Sequence, residues 1–278
     1  MIRLLLFIFL IMLFCYLEIF NKTELFKNKN KYVDYLSLDN IFLDKKFYNM
    51  INKNNFVIIE EIKKHNLKNM NIVAKGPTAK YVKNGIGINQ AIILTDYKYI
   101  FVNDLSSFFG IEDKIKNIKY IFLPDYIHIF ETPNKDYKLD TIIKFLKYYN
   151  FSGKLFIYQI QTTLSDYKLN NKFIMNSKTT SDIPVQLLSQ FIKFKTIHTY
   201  GYKMGHGFTK HLKTILNFNN IIKNINKIED DILKNKLIEV LNYFKKYSTT
   251  AKNKTYITIK PNKTGINDTI ANIKIIKH

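Results

Sequence analysis

Six histidines are the side chains of this 278-residue chain best suited to moving a proton at neutral pH. His206 stands in Gly201-Tyr202-Lys203-Met204-Gly205-His206-Gly207-Phe208. Its flanking glycines permit unusual backbone angles, and the segment follows an apolar run that reads as a strand, at whose C-terminal end α/β proteins present reactive groups. His206 is the expected general base. His211, on the first turn of a following helix, is second, and His128, in Asp125-Tyr126-Ile127-His128, is third. His65 reads as a surface residue, His198 as part of an apolar strand and His278 as terminal, so all three are taken as structural. The hydroxyls of Tyr200 and Tyr202 and the ammonium of Lys203 suit stabilisation of a departing phosphate.

A second set of residues is spaced for holding a nucleotide. Asn71-Ile72-Val73-Ala74 reads as a buried strand that delivers Lys75, Gly76, Pro77 and Thr78 to the crevice where open α/β sheets bind ligands. Gly76 would let the backbone approach a ligand, and Pro77 stiffens the turn. Ile86 to Gln90 brings Asn89, and Tyr99-Ile100-Phe101-Val102 ends in Asn103 and Asp104. Thr180 and Ser181 form a turn before a helical stretch, and Gly201 closes the strand Thr196 to Tyr200.

Other chemistries lack their residues. No Asp-x-Asp triplet and no Cys/His or His/carboxylate set has ligand spacing, so metal-independent chemistry without a cofactor is expected. Glu229, Asp230 and Asp231 fit a helix N-terminus, where negative side chains meet the dipole favourably. Gly76-Pro77-Thr78-Ala79-Lys80 lacks the spacer and the terminal Lys-Ser/Thr of a phosphate-binding P-loop, and Gly85-Ile86-Gly87 is one glycine short of a dinucleotide fingerprint. No Gly-x-Ser-x-Gly elbow is present.

Alternating elements must position these residues. Strands are expected near 71–75, 86–88, 99–103, 119–123, 154–160 and 196–200, with helical segments Asp104 to Lys114, Asp136 to Tyr149 and Ser181 to Phe194 between them. Thr209 to Ile225 and Glu229 to Tyr247 read as two amphipathic helices, the second with a core-facing stripe of Leu233, Leu237, Val240, Leu241 and Phe244. Strands Thr255 to Lys260 and Asn272 to Ile276 close the chain. The expected class is α/β: a largely parallel sheet flanked by helices, a Rossmann-like single nucleotide-binding domain with a small lid, preceded by an N-terminal membrane helix.

The N-terminal expectation comes from Leu4 to Leu17, an apolar run extending to Phe20 if Glu18 snorkels; no small-x-small site follows it, which favours an uncleaved signal anchor over residues 1–20. Residues 21–68 are polar and Lys/Asn-rich and read as a stem, with Phe56 to His65 a short helix presenting Ile58, Ile59 and Ile62 on one face. The α/β domain is expected over 69–278. Lys22, Lys27, Lys29 and Lys31 after the apolar run lean toward a cytoplasmic domain, whereas glycosylation triplets at Asn21, Asn150, Asn253, Asn262 and Asn267 fit the other side, so the side stays open. Cys15 is the only cysteine, which excludes an intrachain disulfide.

The net charge of +21 at pH 7 admits an anionic partner such as a phospholipid surface or an acidic glycan. Nucleic acid is not expected: the lysines spread from Lys22 to Lys277, Arg3 is the only arginine, and phosphate clamps favour the arginine fork. A chain rich in Lys, Asn and Ile also carries such a charge from low-GC coding alone.

Taken together, these pieces resemble the sialyltransferase-like glycosyltransferases of family 42, the bacterial lipooligosaccharide sialyltransferases, and more loosely family 29. The family's opening GNGPS is similar to Ala74-Lys75-Gly76-Pro77-Thr78, its CNQ to Ile88-Asn89-Gln90, and its strand-terminal Asn to Asn103. Its TSG is similar to Thr180-Ser181-Asp182, and a strand-end Gly to Gly201. The resemblance runs from Asn71 to Met204. It implies a CMP-sugar donor held by the glycine turn, Asn89 and Asn103, with Thr180 and Ser181 near the sugar, and a glycan or glycolipid acceptor. It also implies leaving-group stabilisation by tyrosines without a metal. Lys75 replaces the family's donor-binding Asn, and Asp182 replaces a Gly. Two other functions fit similar turns: a nucleotide-dependent transferase of the pyrophosphokinase-like type, and a non-catalytic glycan-binding protein that retains the fold.

Overall fold

Short runs of Ile, Phe, Tyr and Val, apolar on both sides, are what a sheet covered on both faces demands, and they pair here as parallel strands. The strands are β1 (Asn69–Val73), β2 (Ile86–Ile88), β3 (Tyr99–Phe101), β4 (Tyr120–Pro124), β5 (Lys154–Ile160), β6 (Ile174–Met175), β7 (Thr196–Tyr200) and β8 (Lys274–Lys277). They form one sheet in the order β6-β5-β4-β3-β2-β1-β7-β8, and every neighbouring pair is parallel. The computed structural model describes residues 45–277 apart from 66, 68, 83, 95, 103–104, 126–138, 162–166, 177–181, 202–215 and 251–273. All of these described residues belong to one compact unit, Ile41–His278. The expected α/β class with a parallel sheet and flanking helices is what the chain adopts. The expected strand over 255–260 and the apolar N-terminal segment lie outside the described residues, among which no helix is long and apolar enough to cross a membrane.

Five α-helices are described: α1 (Lys45–Lys63), α2 (Leu139–Tyr148), α3 (Ile183–Leu188), α4 (Phe218–Asn226) and α5 (Asp231–Thr250). Helix α1 corrects the domain boundary, because it lies within the residues expected to form a stem and yet packs on the sheet. Phe47, Tyr48, Ile51, Asn55, Ile58, Ile59 and Ile62 recur at helical spacing and are all buried. At the centre of this face the Asn55 amide donates to the carbonyl of Ile157 at 2.7 Å and accepts from its N–H at 3.3 Å. Strand β6 reaches β5 only at Gln159 and Ile160, so Asn55 stands in for a strand partner where the sheet edge would otherwise be bare.

The connections between β1 and β4 differ from expectation. Asp104 to Lys114 was expected to be helical; Leu105–Phe108 and Glu112–Asn117 are instead two 3-10 turns separated by Gly110, whose φ of 81° ends the first. Helix α3 is shorter than expected, and the hydroxyl of Ser189 at its end donates back to the carbonyl of Val185. The stripe Leu233, Leu237, Val240, Leu241 and Phe244 of α5 is buried as expected, and Asp230 accepts from the N–H of Leu233 at 3.0 Å, a cap for the helix.

Helix α1 runs against the strands, which places its last turn beside their N-terminal ends. There Glu61 pairs with Lys154, the first residue of β5, and accepts from the hydroxyl of Tyr120, the first of β4, at 3.0 Å. Tyr120 stacks on Tyr99 with centroids 5.2 Å apart, and His65 shares a hydrogen bond with the Tyr99 hydroxyl. Burial raises the Glu61 carboxyl, but the bonds from Lys154 and Tyr120 outweigh it and hold the group below its ordinary range. Burial, then Lys119 and Lys98, hold His65 below the ordinary histidine value, and burial pushes the Tyr99 phenol up to about 12. His65 is exposed, as expected, but it is bound into this cluster.

Candidate functional site

The chain leaves β1 toward β2 and continues through β6 on that side; it then returns to lay β7 along the other side of β1. The C-terminal ends of β1 and β7 therefore flank the topological switch point, the position at which open α/β sheets hold ligands. Lys75, Gly76 and Thr78 leave β1 there, and Gly201 ends β7. Backbone bonds from Ala74 to Tyr200, at 2.9 Å, and from Gly76 to Gly201, at 3.0 Å, continue the ladder past the strands. The hydroxyl of Thr78 accepts from the N–H of Gly201 at 2.7 Å, which closes the turn Pro77–Tyr81 over β7.

The two glycines face one another. A Cβ on Gly76 would stand 2.5 Å from the carbonyl oxygen of Gly201, and one on Gly201 would stand 2.2 Å from that of Ala74. Gly201 also has φ of 71°, in the left-handed region. The space expected to admit a ligand at Gly76 is thus taken by Gly201, so the glycine serves close backbone packing of the ends of β1 and β7.

One strand over, Asn89 opens the 3-10 turn Asn89–Ile93 at the end of β2 with φ of 51°. A non-glycine residue in this region carries a conformational cost, and such costs collect at functional positions. Its side-chain Oδ1 is buried and has no hydrogen-bond partner among the described residues. Next to it, Gln90 is fully buried; its oxygen accepts from the Lys75 ammonium at 2.9 Å, and its amide nitrogen donates to the carbonyl of Ser106 at 2.7 Å. The Ser106 bond fixes which end of the amide faces Lys75, so Gln90 aims the ammonium. The site-residue reading missed this role. The Asn-Gln pair was its only signal, since a buried glutamine is unremarkable until both ends of its amide are seen to be used.

Lys75, Gly76, Thr78, Asn89 and Gly201 are therefore brought to one edge of the sheet, with Pro77 between them. Asn103, Thr180, Ser181, Tyr202, Lys203, His206, His211 and His128 lie outside the described residues. Asp182 precedes α3, its carbonyl accepts from the N–H of Gln186 at 3.0 Å, and one of its carboxylate oxygens is buried. Among the described residues no three His, Cys, Asp or Glu side chains converge as a metal cradle.

The fold and this edge define an α/β chain with a parallel sheet and a topological switch point between β1 and β7. Comparison with protein-family models, with curated proteins and with solved structures returns no match.

Proposed function

We propose that this chain is a membrane-anchored, inverting glycosyltransferase that moves an acidic sugar, of the sialic type, from a CMP-activated donor to a glycan or glycolipid acceptor. The observation that carries the reading is Asn89, a strained residue beside the switch point whose buried amide oxygen has no partner among the described residues. It stands where the resemblance puts a donor-binding Asn. Lys75 supports the reading because its ammonium, aimed by Gln90, supplies positive charge at the same edge for a nucleotide phosphate. The domain is read as a Rossmann-like nucleotide-binding unit with a small lid, and the apolar segment ending at Phe20 as the anchor.

In this reaction the acceptor hydroxyl oxygen attacks the anomeric carbon as its bond to the phosphate oxygen breaks. The hydroxyl proton passes to His206, with His211 the second candidate, and CMP leaves with the electron pair of the broken bond. Attack opposite the departing phosphate inverts the anomeric centre. Tyr202 and Lys203 stabilise the charge that develops on CMP, and Asn103, Thr180 and Ser181 hold donor and sugar. The direct test is transfer or hydrolysis of a CMP-activated acidic sugar in the presence of chelator. Turnover that survives chelator and falls at least tenfold in His206→Ala, with donor affinity unchanged, is expected. Activity abolished by chelator and restored by manganese contradicts the metal-independent mechanism.

A further inference from the structure

Two strands from Asn89, the same edge of the sheet carries a second polar construction. Asp125 follows β4 directly, continues the ladder by donating its N–H to Tyr158 at 2.8 Å, and is 4% exposed. Its Oδ2 accepts from the hydroxyl of Tyr48, on the first turns of α1, at 2.9 Å and from the amide of Gln159, on β5, at 2.8 Å. Gln159 is itself fixed: its amide nitrogen also donates to the carbonyl of Tyr167 at 2.8 Å, and its oxygen accepts from the N–H of Leu169 at 2.7 Å. The Tyr48 ring lies against the Tyr167 ring, with centroids 5.9 Å apart. A buried carboxylate thus holds one residue by its backbone, through Gln159, and by its ring, through Tyr48. That residue, Tyr167, is 40% exposed and is held beside the C-terminal end of β5 by Gln159.

An exposed tyrosine alone is ordinary on a protein surface. A tyrosine whose position is set by a buried Asp-Gln-Tyr network is not, because burying such groups is costly unless their geometry is used. An aromatic face with a phenolic edge suits a neutral pyranose, whose C–H face stacks on the ring while its hydroxyls find polar partners at the rim. A phosphate suits it poorly beside the buried Asp125 carboxylate. Neighbouring strands lie about 4.8 Å apart, so the ends of β2 and β4 are separated by about 10 Å. That is a distance a nucleotide sugar held at the switch point can cover.

We infer that the C-terminal end of β4 and β5 is the acceptor subsite, in which the Tyr167 ring is the platform for a neutral pyranose and Asp125 positions that ring through Tyr48 and Gln159. The inference rests on the glycosyltransferase reading. Its test uses the full chain, with methyl β-galactoside and methyl β-glucoside as probes in saturation-transfer NMR and CMP melting shifts measured in parallel. Saturation of the pyranoside ring protons is expected with the native chain and with Tyr167→Phe, and at least tenfold weaker binding with Tyr167→Ala. Both variants should retain the native melting temperature and CMP shift. Asp125→Ala, which removes the oxygen that accepts from both Tyr48 and Gln159, should weaken pyranoside binding without changing the CMP shift. No saturation with the native chain, equal saturation with Tyr167→Ala, or a CMP shift lost in Tyr167→Ala overturns the subsite; the last would mean that the ring stacks on the donor base. A native chain that CMP fails to stabilise, but whose pyranoside binding still depends on Tyr167, removes the donor reading and leaves the sugar platform standing.

Discussion

A cluster at the N-terminal end of the sheet and one residue at its C-terminal end treat polar groups in opposite ways. At the N-terminal end, Glu61, Lys154, Tyr120, Tyr99 and His65 engage one another, and the cluster ties α1 to the strands. At the C-terminal end the backbone is packed closely at Gly76 and Gly201, yet Asn89 holds a strained conformation and an amide oxygen with no partner among the described residues. Groups that satisfy each other contribute to stability and need nothing from outside the chain. A group left unsatisfied beside a switch point costs stability, and that cost is offset only when something binds there. On the proposed function, the first cluster holds the fold and Asn89 serves binding.

The comparison can be broken hardest at its frame. Gly201→Ala places a methyl 2.2 Å from a backbone oxygen at a φ of 71°, and we expect a loss of about 3 kcal/mol or more by chemical denaturation, together with loss of nucleotide binding. Asn55→Leu leaves the N–H and C=O of Ile157 buried without partners, with an expected cost of about 2–4 kcal/mol. Because Asn55 is remote from the switch point, the surviving folded protein should bind nucleotide with native affinity. A native denaturation midpoint for Asn55→Leu would show that the edge of β5 does not depend on it.

A smaller effect sharpens the contrast through pH. The folded chain holds His65 below its reference value of 6.5, so below that pH the unfolded chain binds more protons, and stability falls as the solution is acidified. Glu61, held below its reference of 4.5, adds loss of the same sign at lower pH, as its pairing with Lys154 and Tyr120 is titrated away. Glu112 acts the other way: burial raises its carboxyl, so its contribution declines as pH rises above 4.5. As pH falls below about 6.5 the native chain should therefore lose more melting temperature than His65→Gln does. Identical pH profiles would detach His65 from the stability of this end.

Much of the sheet was legible because its strands are short apolar runs bounded by polar segments; 86–88, 154–160 and 196–200 were placed as they occur. Strand β6 was not legible, since two residues carry no periodicity. The reach of the domain before Asn69 was hidden for another reason. In a stretch crowded with Lys and Asn, nothing marks Asn55 as the one asparagine that pairs with a strand, although the Ile58-Ile59-Ile62 face did mark the helix. At the site, Gly76 was found for its flexibility, but the reason for it is Gly201, far along the chain, and a contact of that kind has no local signal. Asn89 was found by resemblance to a motif, and its positive φ and lone oxygen could be seen only in three dimensions.

The most direct test of the central claim pairs the native chain with Asn89→Gly, which removes both the orphan amide and the penalty for a positive φ. In the absence of ligand the variant should be within about 1 kcal/mol of the native chain. Melting temperatures are then measured with CMP, CDP, UDP, GDP, ATP and GTP, because a ligand of the folded state raises the midpoint by mass action. The account predicts selective stabilisation of the native chain by CMP and its loss in Asn89→Gly. Stabilisation by a purine triphosphate instead, by no nucleotide, or by CMP equally in both chains would contradict it.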